Sequence, residues 1–117
     1  MNRSDLERLR DAREFARYAQ DDAAGLGAHS LAQVRQTLHA VLYDLAVIGE
    51  TLNKVSVGVK SSAPGIAWRE FYDLRNFIVH AYWQIDLGIV ADVINNQLGP
   101  LVAELEKLIA FVEIAET

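Results

Sequence analysis

The stretch LAQVRQTLHAVLYDLAVIGETLNKV, residues 31–55, decides the fold. Leu31, Val34, Leu38, Val41, Leu42, Leu45, Ile48, Leu52 and Val55 recur at steps of three and four. That is the stripe of an α-helix with one face in a core. Ser30 stands where an N-cap belongs. Gly49 lies on the stripe, where a missing side chain lets another helix come close. Beside it runs a second line, His39, Tyr43, Ala46, Glu50 and Asn53, too polar for plain core and too aromatic for plain surface.

Upstream, Ser4 caps a first helix over residues 5–20, with Asp5 and Glu7 suiting its positive end. Leu6, Leu9, Ala12, Ala16 and Ala19 form its modest apolar face. Gly25 and Gly27 break the pattern over residues 21–29. Downstream, VGVKSSAPG (residues 57–65) reads as a loop, with Pro64 starting the next helical turn. A third helix is predicted from Ala67 to His80. QIDLG (residues 84–88) makes a short break with Asp86 as a cap. The last helix carries Leu87, Val90, Ile94, Leu98, Leu101, Leu105, Leu108 and Val112 on one face. Gly99-Pro100 interrupts it, and proline costs ~3 kcal/mol in a helix interior. The expectation is one all-α domain over residues 1–117. It is an up-and-down bundle of four main helices plus short segments, the last helix kinked or split near Gly99-Pro100.

The totals fit one folded domain: 117 residues, 51% hydrophobic. With no cysteine, disulfides, thiol nucleophiles and thiolate zinc sites are excluded. No pair of His and carboxylate has metal-ligand spacing, so no metal or cofactor is expected. The charged start MNRSDLERLR lacks an apolar signal core, and no run approaches the ~20 apolar residues that span a bilayer. A cytoplasmic chain without membrane contact is expected. The net charge of −5 argues against loose binding to nucleic acid, so any such function needs a local site.

The candidate for that site is LRNFIVHAYW, residues 74–83, in which Arg75, Asn76 and His80 sit among aromatic and aliphatic residues. Asn76 and His80 share a helix face. Arg75 and Tyr82 share another if the helix continues that far. Arg75 and His80, five apart, diverge by about 140° at 3.6 residues per turn. They converge on one ligand only if the helix ends near His80 or a second copy supplies the missing group. Structural roles are also open. His80 could cap the helix C-terminus, Arg75 could pair with Asp73 or another acid, and Tyr82 and Trp83 could pack. His39 and Glu50 could form a polar seam, and His29 could simply be solvated.

Arg75, four residues, His80 and then Tyr82 resembles the R-x4-6-H-x-Y motif of the HEPN superfamily, most closely its HepT-like toxin branch. Asn76 matches the polar residue that usually follows the arginine. VIGETLNKVS (residues 47–56) resembles the family's I-G-E segment. APGIAWREFYDLRN (residues 63–76) resembles the P-x-I-P-W stretch before the motif, with Ala67 where proline is common. IDLGIVADVINNQLGPL (residues 85–101) resembles the start of the last helix.

The resemblance implies an endoribonuclease toxin of a type VII-like pair, cutting tRNA or mRNA. It implies a helical homodimer whose two motifs meet in a cleft. The implied partner is a minimal nucleotidyltransferase antitoxin that transfers AMP to the motif tyrosine, here Tyr82. RNA carries its own nucleophile, the 2′-OH, so the chemistry needs no metal. Imidazole moves protons near neutral pH, its ordinary pKa being about 6.5. His80 is the candidate general acid or base. Arg75 is the candidate for stabilising the phosphorane-like transition state. Asn76 is expected to orient the phosphate or His80, and Glu50 to orient Arg75 or to serve structure. Tyr82 and Trp83 are expected to stack on bases. Arg69 and Lys54 are expected to add positive potential. Tyr82 should be exposed, unlike Tyr43, which is expected in the core. The alternative is a non-catalytic bundle that binds RNA or a nucleotide, or that only docks the nucleotidyltransferase.

Overall fold

The computed structural model describes residues 3–24 and 27–116. Every regular element among them is helical: α1 (Asp5–Ala23), α2 (Ala28–Gln33), α3 (Arg35–Asn53), α4 (Val57–Ser61), α5 (Trp68–Ala81), α6 (Leu87–Asp92) and α7 (Leu98–Glu116). A 3₁₀ turn, Tyr82–Gln84, follows α5, and a π-turn, Val93–Gln97, joins α6 to α7. The four long helices lie in the order α5, α3, α1, α7, each packed on the next. Neighbours run antiparallel. The start of α1 meets the end of α3, where Asp5 accepts from the Ser56 backbone N–H at 3.0 Å. Arg10 pairs with Glu113 and Arg17 with Glu106, matching α1 to α7 head to tail.

Ser4 caps α1 as expected, in a reciprocal box with Glu7. The alanine face, Ala12, Ala16, Ala19 and Ala23, is fully buried, and such small side chains let α1 sit between α3 and α7. α1 runs three residues past its expected end, and Ala24 closes it in the left-handed region at φ 46°. Gly25 lies outside the described residues.

Four expectations need correction. Ser30 does not cap the long second helix. It lies inside α2, and Val34 (φ −120°, ψ 90°) separates α2 from α3, which starts without a side-chain cap. Val34 therefore leaves the apolar stripe and is exposed, while Val41, Leu42, Leu45, Ile48 and Leu52 are core. Residues 57–65 are not all loop: Ser56 accepts from the Val59 N–H and starts α4. Pro64 lies in the turn that follows, and α5 starts only at Trp68.

The interruption of the last helix falls one turn before Pro100. Leu98 N–H donates to the Val93 carbonyl, an i to i−5 bond. Proline has no N–H for the carbonyl four residues back and its ring crowds that carbonyl, here Asn96. The widened turn over Val93–Gln97 relieves that crowding without ending the helix. Its apolar face, from Val90 to Val112, stays buried.

α3 touches α5 through Gly49. A Cβ there would stand 2.4 Å from the Phe71 carbonyl oxygen and 2.5 Å from Arg75 Cβ. Gly49→Ala gains up to ~1 kcal/mol of helix propensity. Overpacking costs about 1–3 kcal/mol, and the closest obstacle is backbone that cannot rotate away. We expect Gly49→Ala to lower Tm, read by circular dichroism; an unchanged or raised Tm would mean that α3 and α5 separate freely.

Asp44 on α3 is the buried charged residue among those described, 5% exposed. Burial, then the neighbouring Asp22 carboxyl, pushes its pKa from 3.8 to about 7. The native state thus holds this proton more tightly than the unfolded chain. The associated stability is complete below pH ~4 and is lost as pH rises through about 7. Asp44→Asn should therefore raise Tm at pH 8 more than at pH 5. Equal effects at both pH values would contradict the buried proton.

Candidate active site

Close packing at Gly49 fixes what comes next on each helix. Glu50 follows directly on α3, and Arg75 is on the α5 face that Gly49 touches. The Glu50 carboxylate meets the guanidinium, Arg75 Nε to Glu50 Oε2 at 3.0 Å. Its other oxygen holds Lys54 Nζ at 3.3 Å. Arg75 also donates from NH1 to Asn76 Oδ1 at 2.8 Å. The Tyr72 ring lies under the guanidinium, 5.9 Å from ring centre to Cζ. The Arg75 side chain is 25% exposed, so it is anchored but still reaches solvent.

His80 occupies the last turn of α5 and is exposed. Among the described residues it bonds to neither Arg75 nor Asn76. Helix α5 stops at Ala81 (φ −149°, ψ 38°). Tyr82 and Trp83 therefore leave the helix face and stand exposed in the 3₁₀ turn, at 52% and 70%. Their rings meet edge to face, with centroids 5.9 Å apart. Phe77 and Val79, also exposed, flank His80 in sequence. An open groove of ≈330 Å³ between α3 and α5 is lined by His39, Leu42, Tyr43, Ala46, Ile78 and Tyr82.

The structure thus brings Arg75, Asn76 and Glu50 together and leaves His80, Tyr82 and Trp83 at the end of the same helix. Asn76 bonds to Arg75 rather than to His80. Asp73 accepts from Arg69 instead of Arg75, which ties up Arg69 on the outer face. Tyr43 is not core: it is 63% exposed, beside Phe15 and along the groove. His29 is exposed in α2. Tyr72 was not expected, although its position three residues before Arg75, on one helix face, is a readable signal. Among the described residues no group of three or more His, Cys, Asp or Glu could hold a metal ion. No helix among them is long and apolar enough to cross a membrane.

Residues 6–108 match the model of the family described as Ribonuclease HepT-like, a span that includes all these site residues. The chain belongs to the HepT-like ribonuclease family. A protein of Thermococcus cleftensis named "Probable ribonuclease HepT" is 26% identical over 108 residues, covering 92% of this chain and 98% of that protein. A putative RNase of Methanocaldococcus jannaschii is 28% identical, covering 68% of this chain and 65% of its own length. A second protein of that organism, named as a gamma-glutamylcyclotransferase and putative RNase, is 26% identical over 59% of this chain and 31% of its own. No solved structure gives a significant match.

Proposed function

We propose that this chain is the ribonuclease toxin of a toxin–antitoxin pair, cleaving RNA at a site shared by two copies. The observation that carries the reading is the anchored guanidinium of Arg75, bound by Glu50 and Asn76 on the helix that also presents exposed His80 and Tyr82. Family membership and the RNase names of its relatives support RNA as substrate.

The 2′-oxygen attacks the adjacent phosphorus and the 5′-oxygen leaves, giving a cyclic phosphate and a free 5′-OH. His80 moves a proton at one of these oxygens. Such groups contribute typically ~10²–10⁴ in rate. Arg75 meets the charge that builds on the non-bridging oxygens, already oriented by Glu50 and Asn76. Trp83 and Tyr82 offer exposed rings for unpaired bases.

The dimer reading draws on two features. Arg75 and His80 diverge along one helix, and exposed Phe77, Val79, Tyr82 and Trp83 cluster in sequence around His80. In the proposed C2 dimer each cleft takes Arg75 from one copy and His80 from the other. The antitoxin is a minimal nucleotidyltransferase that joins AMP to the exposed Tyr82 hydroxyl, releasing pyrophosphate from ATP. The new phosphodiester places a negative charge where RNA phosphate must bind, and its adenine fills the stacking surface.

Expression of the chain alone should arrest growth. His80→Ala should lose at least ~10²-fold in RNA cleavage while staying folded. Arg75→Lys should also fail, because an ammonium cannot reproduce the planar fork. Mixing the two inactive variants should restore roughly a quarter of wild-type cleavage, the share of intact sites after random pairing in a C2 dimer. A folded His80→Ala chain as active as wild type removes His80 from the mechanism. No recovery on mixing, or full activity in a monomer by light scattering, removes the shared site.

Co-expression with a nucleotidyltransferase encoded beside it should add the mass of AMP at Tyr82, located by peptide mapping. Tyr82→Phe should then remain toxic in its presence. Neutralised protein carrying an unmodified Tyr82 would show that the partner acts by docking alone.

A further inference from the structure

In a chain of net charge −5, most basic side chains are spent on acidic neighbours. Arg3 faces Glu7 and Asp11, Arg10 faces Glu113, Arg17 faces Glu106, Arg69 faces Asp73 and Lys107 faces Glu104. The C-terminal end of α3 is different. Arg8 reaches over from α1 and donates from NH1 to the Lys54 carbonyl at 2.9 Å. Lys60 reaches back from α4 and donates to the Asn53 carbonyl at 2.8 Å. Both satisfy carbonyls that a helix end leaves open. Neither forms a close ion pair with a carboxylate among the described residues, although Arg8 lies near enough to Glu7 to help lower its pKa. A guanidinium has five N–H donors and an ammonium three, so one bond to a carbonyl leaves each with donors to spare.

Lys54 joins this group to the proposed active site. It sits at the same helix end, 57% exposed, and shares the Glu50 carboxylate with Arg75. The nearby acids are already engaged. Glu50 bridges Lys54 and Arg75, Asp5 accepts from Ser56, and Glu7 serves Ser4 and Arg3. Three cations, Arg8, Lys54 and Lys60, thus stand at one helix end with donors to spare, joined to Arg75 through the single Glu50 carboxylate.

We propose that Lys54, Lys60 and Arg8, gathered at the C-terminal end of α3 beside the Arg75–Glu50 pair, bind phosphates of single-stranded RNA next to the one being cut. This rests on the ribonuclease reading and adds a direction to it: the strand leaves Arg75 across the end of α3, towards α4 and the start of α1. The contacts are to backbone phosphate, so they hold the strand without reading its sequence. They also answer how an acidic protein grips a polyanion.

The test uses the His80→Ala chain, which should hold RNA uncut, and a labelled single-stranded RNA oligonucleotide. Kd is measured as salt is raised. Each phosphate contact on a single strand contributes about 0.7 to the slope of log affinity against log salt. Lys54→Gln and Lys60→Gln should each lower that slope by about 0.7, and the pair by about 1.4. Glutamine keeps a donor for the Asn53 carbonyl at position 60, and thermal unfolding checks that each variant is folded. Lys107→Gln, on α7, should leave the slope unchanged. Lys60 is the cleaner arm, since it does not touch Glu50 and so leaves Arg75 in place. A slope unchanged in both lysine variants, with RNA still bound, overturns the phosphate path and leaves the ribonuclease reading standing. A wild-type chain that neither binds nor cuts RNA sinks both.

Discussion

The missing Cβ at Gly49 is the constraint on which the site depends. With any side chain there, α3 and α5 could not meet at their present distance, because the obstacle is the Phe71 carbonyl itself. A carboxylate one residue along α3 then falls within 3.0 Å of a guanidinium on α5. Moving the helices apart by the width of a methyl group would stretch that pair beyond hydrogen-bond range. Core packing and site geometry are therefore one problem here. The apolar stripe supplies the energy that presses the helices together, and the glycine sets how far they go.

Glu50 contributes little stability by itself. Its partners are partly exposed, and ion pairs of this kind are worth ~0–1 kcal/mol. Its effect is geometric. Arginine carries about 2 kcal/mol of rotamer entropy, and a free side chain would lose it on meeting a ligand. Glu50 on Nε, Asn76 on NH1 and Tyr72 beneath the plane remove much of that freedom in advance. The same carboxylate offsets part of the positive charge, which keeps Arg75 and Lys54 close without mutual repulsion.

Much of the bundle was legible in the sequence, for identifiable reasons. Periodic stripes report burial directly, so the four long helices and most of their cores followed from spacing. Ser4 and Asp86 were readable as caps because each precedes a helix with no competing start. Ser30 misled because a second, short helix begins before it, and a cap signal cannot say which turn it serves. Pro100 made an interruption of the last helix readable, and it falls one turn earlier because a proline disturbs the carbonyl four residues behind it. Tyr43 was misassigned for a different reason. It lies on the half-polar line beside the stripe, and whether that line is covered depends on how far α5 extends. The residues of the candidate site were visible as a motif resemblance, but the Arg75–Asn76 bond was not, since adjacent helix positions ordinarily point apart.

The end of α5 at Ala81 decides what Tyr82 can do. Seven residues separate Tyr82 from Arg75, close to two full turns, so a continuous helix would place the phenol on the same face as the guanidinium. The chain turns instead, and the Ile85 N–H closes the 3₁₀ turn on the Tyr82 carbonyl at 3.2 Å. Asp86 then starts α6 by accepting from the Gly88 and Ile89 N–H groups, which fixes the turn from its far side. This short connection leaves too little backbone for Tyr82 to fold back into the core, which explains its exposure. A tyrosine in the helix proper would have been shielded on one side by Ile78 and the α3 wall. Placed in the turn, its ring edges the groove beside His39 and Tyr43 while half of it remains open to solvent. The turn therefore separates two groups that a straight helix would have put on one face: a guanidinium fixed at the α3–α5 junction, and a phenol half open to solvent.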